Sequence, residues 1–191
     1  TEETIDSFKS AGRNGTPRAA VAAGGRLLSM AQEAGVPYIR LPNEGIQPRS
    51  AVGLSTKAFL KIMGENGGLA EISGLAQSLN PGALEPEARA LAQELKGYMP
   101  VIYASDTNGP LAMNWKIKFN ETGKVPSFVN VFPELNHNEM TGFDATPAAK
   151  SLSEKFFFVI LRDPADHPRV LKRMDITAAL LADRGLRTRT L

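Results

Sequence analysis

The seven residues from Lys155 to Leu161 read K-F-F-F-V-I-L, the most apolar run in the chain. They constrain the fold more than any other stretch. The run is far shorter than the roughly 18 apolar residues that a membrane-spanning helix needs. It is aromatic and β-branched as well as short, which selects a strand over a buried helical segment. Its apolar residues are consecutive rather than alternating, so both faces of the strand need cover. That predicts a buried central strand in a parallel sheet.

The flanking sequence supplies the rest of such a sheet. Met99 to Ala104 and Ser127 to Phe132 are predicted as strands. Glu85 to Lys96 reads as an amphipathic helix with Leu91 and Leu95 inward. A further helix begins around Pro110, a position that suits proline, and another spans Arg169 to Ala182, ended by Gly185. Leu186 to Leu191 alternates like a strand that has only begun.

The first third of the chain repeats the theme. Thr1 is a good N-cap, with Glu2 and Glu3 favourable in the first turn of a helix that runs to Ala11 and stops at Gly12. A strand from Arg18 to Ala23, a helix from Arg26 to Ala34 closed by Gly35, and a strand from Pro37 to Leu41 follow. This is β-α-β with short loops, the pattern of a parallel sheet. Ser50 to Met63 is a predicted helix with Val52, Phe59, Leu60 and Met63 as its apolar side. Gly64, Gly67 and Gly68 mark a boundary, Leu69 to Leu79 is predicted helical, and Asn80-Pro81-Gly82 is a second break. The expected fold class is α/β, with two doubly wound units in tandem and mostly parallel sheets. Residues 1–68 are expected to be the C-terminal part of a first domain, incomplete at its N-terminus. Residues 69–84 would link it to a second domain, 85–191, incomplete at its C-terminus. Thr1 is not a start methionine, so the chain is expected to belong to a longer protein.

Composition narrows the function. A net charge of +2 over 191 residues is too small to argue for nucleic acid or a membrane surface. The absence of cysteine excludes disulfides and thiolate metal sites and is compatible with a cytoplasmic protein. The chemistry-bearing stretch is Trp115 to Glu139, which holds Glu121 and His137. Glu121 is predicted near the end of the Pro110 helix. A new helix is expected after Asn136, with Asn136 as N-cap and Glu139 three residues on, as in a capping box. His137 would then stand at the positive end of that helix dipole, which favours a neutral ring. A carboxylate and a neutral imidazole on neighbouring loops suit a general base and a proton shuttle.

Several tracts, taken in order, resemble one family. They are G-V-P-Y-I-R-L-P (35–42), Q-P-R-S-A-V-G (47–53), P-V-I-Y-A-S (100–105), W-K-x-x-F-N-E (115–121), K-V-P-S-F (124–128) and P-E-L-N-H-N-E (133–139). The chain is identified on these as similar to the bifunctional phosphoglucose/phosphomannose isomerases, which are built from two sugar isomerase (SIS) domains. The W-K-x-x-F-N-E and N-H-N-E tracts are the specific ones. The resemblance implies a cytoplasmic isomerase of glycolysis and gluconeogenesis that takes a sugar phosphate, needs no cofactor or metal, and works as a homodimer. It implies that Glu121 moves the proton between C1 and C2, that His137 helps open the sugar ring, and that Arg49 stands by the enediolate. It also implies that Thr1 contacts the phosphate and that the histidine can be supplied across a dimer interface.

The chemistry is consistent with those residue types. One carboxylate can carry a proton between neighbouring carbons through a cis-enediol. A guanidinium stabilises the charge on O1 and O2, and a helix N-terminus suits a phosphate. Plainer readings stay open for each residue. Glu121 can be a solvated carboxylate at a helix end, His137 a structural cap, Arg49 a surface partner of Glu44, and Thr1 an ordinary N-cap. Glu134, Glu139 and His137 make a weak metal set, His167 reads as a loop residue, and Lys116, Lys118 and Lys124 read as a solvated face. A non-catalytic sugar-phosphate-binding module is the rival function. Another SIS enzyme, such as an amidotransferase isomerase half, is a third.

Overall fold

The computed structural model describes residues 1–143 and 146–191. The chain divides into two compact units, Thr1–Pro81 and Gly82–Leu191.

In the first unit α1 (Glu2–Arg13) leads to β1 (Ala20–Ala22), α2 (Arg26–Glu33) and β2 (Tyr38–Arg40), and the two strands pair in parallel. Helices α3 (Val52–Met63) and α4 (Asn66–Ser78) follow and pack on each other. The small core joins Phe8, Ala20, Leu28 and Ala31. Two expectations are corrected here. Gly12 does not stop α1, which continues to Arg13. It serves a close approach instead. The Arg18 guanidinium lies 4.3 Å from the Phe8 ring centre and donates to the Phe8 carbonyl at 2.6 Å. A Cβ at position 12 would meet Arg18 Nη1 at 1.7 Å. The apolar side assigned to α3 is also wrong in part. Phe59 and Met63 are 59% and 69% exposed, and the buried residue is Ala58. A two-stranded sheet with three residues per strand has no area to cover the larger side chains.

The second unit is a four-stranded, wholly parallel sheet in the order β4-β3-β5-β6. Its strands are β3 (Met99–Ser105), β4 (Phe128–Phe132), β5 (Phe156–Ile160) and β6 (Arg187–Thr190). β5 is internal and buried, as the apolar run required. Alternate residues feed two separate cores. Val101, Tyr103, Phe132, Phe158 and Ile160 meet Met174 and Leu181 of α8 (Pro168–Asp183) on one face. Ile102, Ala104, Phe157 and Val159 meet Ala112, Trp115, Leu91 and Leu95 on the other. The latter come from α6 (Gly109–Lys118), α5 (Pro81–Glu94) and the turn after it. Chain direction across the sheet reverses between β4 and β5, so α6 and α8 cover opposite faces and the unit is doubly wound.

Helix α5 begins at Pro81 rather than at Glu85, so the break between α4 and α5 is confined to Leu79 and Asn80, beside the division between the two units. Proline is tolerated there because a first-turn N–H has no helical partner to lose. The helix expected after Asn136 does not form. In its place stand two 3₁₀ turns, Glu134–Asn136 and Glu139–Phe143. A short helix that the sequence reading passed over, α7 (Pro147–Ser153), precedes β5.

Candidate active site

Glu121 sits in a single π-helical turn, Phe119–Gly123, that continues α6. Turns of this kind inside or after α-helices concentrate at functional positions. The turn is closed by Lys124 at φ 55°, which is the one non-glycine residue with positive φ among the described residues. Such a conformation costs a residue with a Cβ about 1–2 kcal/mol, and strain of this kind tends to persist where function requires it. Asn120 holds the turn by donating from Nδ2 to the Val125 carbonyl at 2.9 Å. Trp115 and Phe119 anchor its start in the core under α6. The Glu121 side chain is exposed.

His137 lies just past the first 3₁₀ turn, and its backbone N–H donates to the Glu134 carbonyl at 2.9 Å. The dipole argument for a neutral ring lapses because there is no helix for His137 to begin. The capping box fails because both of its side chains are used elsewhere. Asn136 Nδ2 donates to Thr177 Oγ1 of α8 at 2.8 Å. Glu139 accepts from the Tyr103 hydroxyl at 2.7 Å and from Asn130 Nδ2. The ring of His137 is exposed while its neighbour Leu135 is wholly buried.

These placements decide which residues work together. α6 and its π turn pack against the core on one face of the sheet. Leu135 and Phe143, on either side of His137, pack against the core on the other. The two segments therefore attach to opposite faces of the sheet. Within one chain Glu121 and His137 thus follow from opposite faces of the sheet, rather than from loops on one side of it. Arg49 belongs to the first unit, half-buried in a 3₁₀ turn, Pro48–Ser50, that leads into α3. Thr1 also belongs there. It caps α1, with its hydroxyl 2.9 Å from Thr4 Oγ1 and accepting from the Thr4 N–H at 3.5 Å. Hydrogen bonds from its own backbone N–H and from the Thr1 hydroxyl hold the Glu3 carboxyl below its usual range.

Doubly wound sheets ordinarily take ligand at the crest where strand order reverses, here between the C-terminal ends of β3 and β5. That crest holds acids. Asn108 Nδ2 lies 3.2 Å from Ser105 Oγ, 3.3 Å from Asp163 Oδ2 and 3.4 Å from Asp166 Oδ1. Two carboxylates repel a phosphate. Glu121 is at the far end of α6, whose ten residues span about 15 Å, and so stands away from the crest. Among the described residues no group of three or more His, Cys, Asp or Glu side chains is arranged to hold a metal ion.

Sequence reasoning missed Tyr103, Asn130 and the acidic crest. Tyr103 had a legible signal, since a tyrosine in a strand buried on both faces needs a partner for its hydroxyl. Burial first, and then the hydrogen bond and charge of Glu139, push the Tyr103 phenol far above its ordinary value. The folded form therefore keeps its proton when the unfolded form loses it near pH 10. The stabilisation is fully present below that pH and is lost as pH rises above it. The stability advantage of wild type over Tyr103→Phe is expected to narrow by about 1.4 kcal/mol between pH 9 and pH 11. Urea unfolding of the complete protein at the two pH values reads this directly.

The second unit is a doubly wound parallel α/β fold. The fold is that of the C-terminal domain of glucosamine-fructose-6-phosphate aminotransferase from Francisella tularensis, which matches with a TM-score of 0.67 at 13% identity over 100% of this chain and 55% of that one. Residues 84–191 match the bacterial phospho-glucose isomerase C-terminal SIS domain, and the chain belongs to that family. Two curated relatives are bifunctional phosphoglucose/phosphomannose isomerases. That of Aquifex aeolicus is 31% identical over 97% of this chain and 57% of its own length. That of Caldicellulosiruptor bescii is 34% identical over 95% of this chain and 56% of its own length. The chain thus spans about half the length of the curated relatives it matches.

Proposed function

We propose that this protein is a metal-independent aldose–ketose isomerase that interconverts glucose 6-phosphate, and mannose 6-phosphate, with fructose 6-phosphate. The relatives' activities support the substrate class. The observation that carries the mechanism is the strained π turn that presents Glu121 to solvent. In the open-chain aldose the Glu121 carboxylate takes the proton from C2. The C2–H electron pair becomes the C1=C2 double bond, and the carbonyl pair moves to O1, which gains a proton. The C1=C2 pair then takes the proton back from the Glu121 acid at C1, the O2–H pair becomes the C2=O bond, and the proton released from O2 balances the one gained by O1. Glucose and mannose 6-phosphates differ only at C2 and share this enediol. Arg49 stabilises the charge on O1 and O2, and Thr1, at the start of α1, contacts the phosphate. His137 moves the ring-opening proton in the site of a second copy in a homodimer, a reading supported by the attachment of its segment to the sheet face opposite α6.

A coupled assay for fructose 6-phosphate on the complete protein, with EDTA present, tests this. Turnover of both aldose phosphates is expected. Turnover of glucose 6-phosphate alone would keep the mechanism and remove the second substrate. Tight sugar-phosphate binding without turnover would replace the enzyme by a binding module.

A further inference from the structure

Three anchors pin the backbone around His137, and one of them is costly. Leu135 and the Asn136–Thr177 hydrogen bond fix the side before it. Arg184 Nη1 donates to the Met140 carbonyl at 3.2 Å, and the Phe143 ring packs edge-on at 4.8 Å from Phe158, fixing the side after it. Between them Glu139 places its carboxylate against the sheet, on Tyr103 of β3 and Asn130 of β4. Those two residues are directly opposite in the strand register. Asn130 is itself oriented, because its Oδ1 accepts from the Val131 N–H at 2.8 Å. A phenol on a buried strand and a half-buried carboxylate set against it are costly to desolvate. An apolar pair would fill the same space without that cost. Asn136 Oδ1 is also buried with no hydrogen-bond partner among the described residues, a second departure from what stability alone would select. Both departures flank the one exposed imidazole of the segment.

We infer that Glu139, held by Tyr103 and Asn130, is a positioning residue for His137. It sets the direction in which the ring leaves the surface, and so its aim at the neighbouring copy's substrate. This rests on the proposed role of His137, and the test separates the two. Glu139→Ala removes both hydrogen bonds, whereas Glu139→Gln keeps a carbonyl to accept from Tyr103. The ring of His137 is read in the complete protein by ¹³C-labelled histidine NMR, its signal assigned by its loss in His137→Ala. In Glu139→Ala that signal is expected to move or broaden while the His167 signal stays. kcat is expected to fall roughly 10- to 100-fold with KM little changed, because His137 acts on ring opening rather than on binding. Glu139→Gln should recover much of both. An unmoved His137 signal in Glu139→Ala overturns the inference, whatever the activity. So does a moved signal with full turnover when His137→Ala is inactive. If His137→Ala also keeps full turnover, the proposed role of His137 falls, and the inference with it.

Discussion

In the complete protein Glu121→Gln is expected to cut kcat by about 10³-fold or more, the upper range for loss of a positioned base, with KM nearly unchanged. The amide has the shape of the carboxylate but accepts no proton at neutral pH. The π turn that carries it is held by Asn120 and by Trp115 and Phe119, so the substitution leaves the backbone in place. A loss of this size is about 4 kcal/mol of transition-state stabilisation, beyond what a surface carboxylate contributes to anything else. Glu154→Gln is the control. It removes an exposed carboxylate that pairs with Lys150 at 3.7 Å, and it should leave turnover within a factor of two or so, as for most surface substitutions. Steady-state kinetics with glucose 6-phosphate settles the matter. Near-normal turnover in Glu121→Gln would sink the assignment of the base.

What was legible from the residues was what local physics decides. The consecutive apolar run at 155–161 could only be an internal strand, and it is β5. The glycine stops at Gly35, Gly64 and Gly185 all carry positive φ and end α2, α3 and α8 as their positions suggested. What failed was local reasoning at places where distant partners outbid it. Asn136 and Glu139 have the spacing of a capping box, but Thr177 is 41 residues on and Tyr103 is 36 residues back. Once those bonds form, neither side chain remains for the cap. Gly12 reads as a stop until Arg18 is seen to need its missing Cβ. The arrangement of the candidate site needed more than sequence order. Glu121 and His137 are close in sequence, and closeness suggested one site. Edge strand β4 runs between them, with α6 entering on one face and the 3₁₀ turns leaving over the other. No periodicity in the sequence reports which face a connection takes.

That separation makes a sharper prediction than either residue gives alone. Glu121→Gln and His137→Ala are each expected to be nearly inactive in the complete protein. Mixed after subunit exchange, they are expected to regain about a quarter of wild-type turnover. The figure follows from two-fold symmetry. If each site takes Glu121 from one copy and His137 from the other, a hybrid dimer has one site with both substitutions and one with neither. Random exchange makes about half of the dimers hybrid, and half of their sites are intact. Recovery should proceed no faster than dimer dissociation, because exchange requires it. If His137 served its own chain, every site in the mixture would lack one group and nothing would return. Absence of recovery, with exchange confirmed by a mass-tagged copy, would therefore remove the cross-dimer role of His137. It would leave the Glu121 assignment untouched.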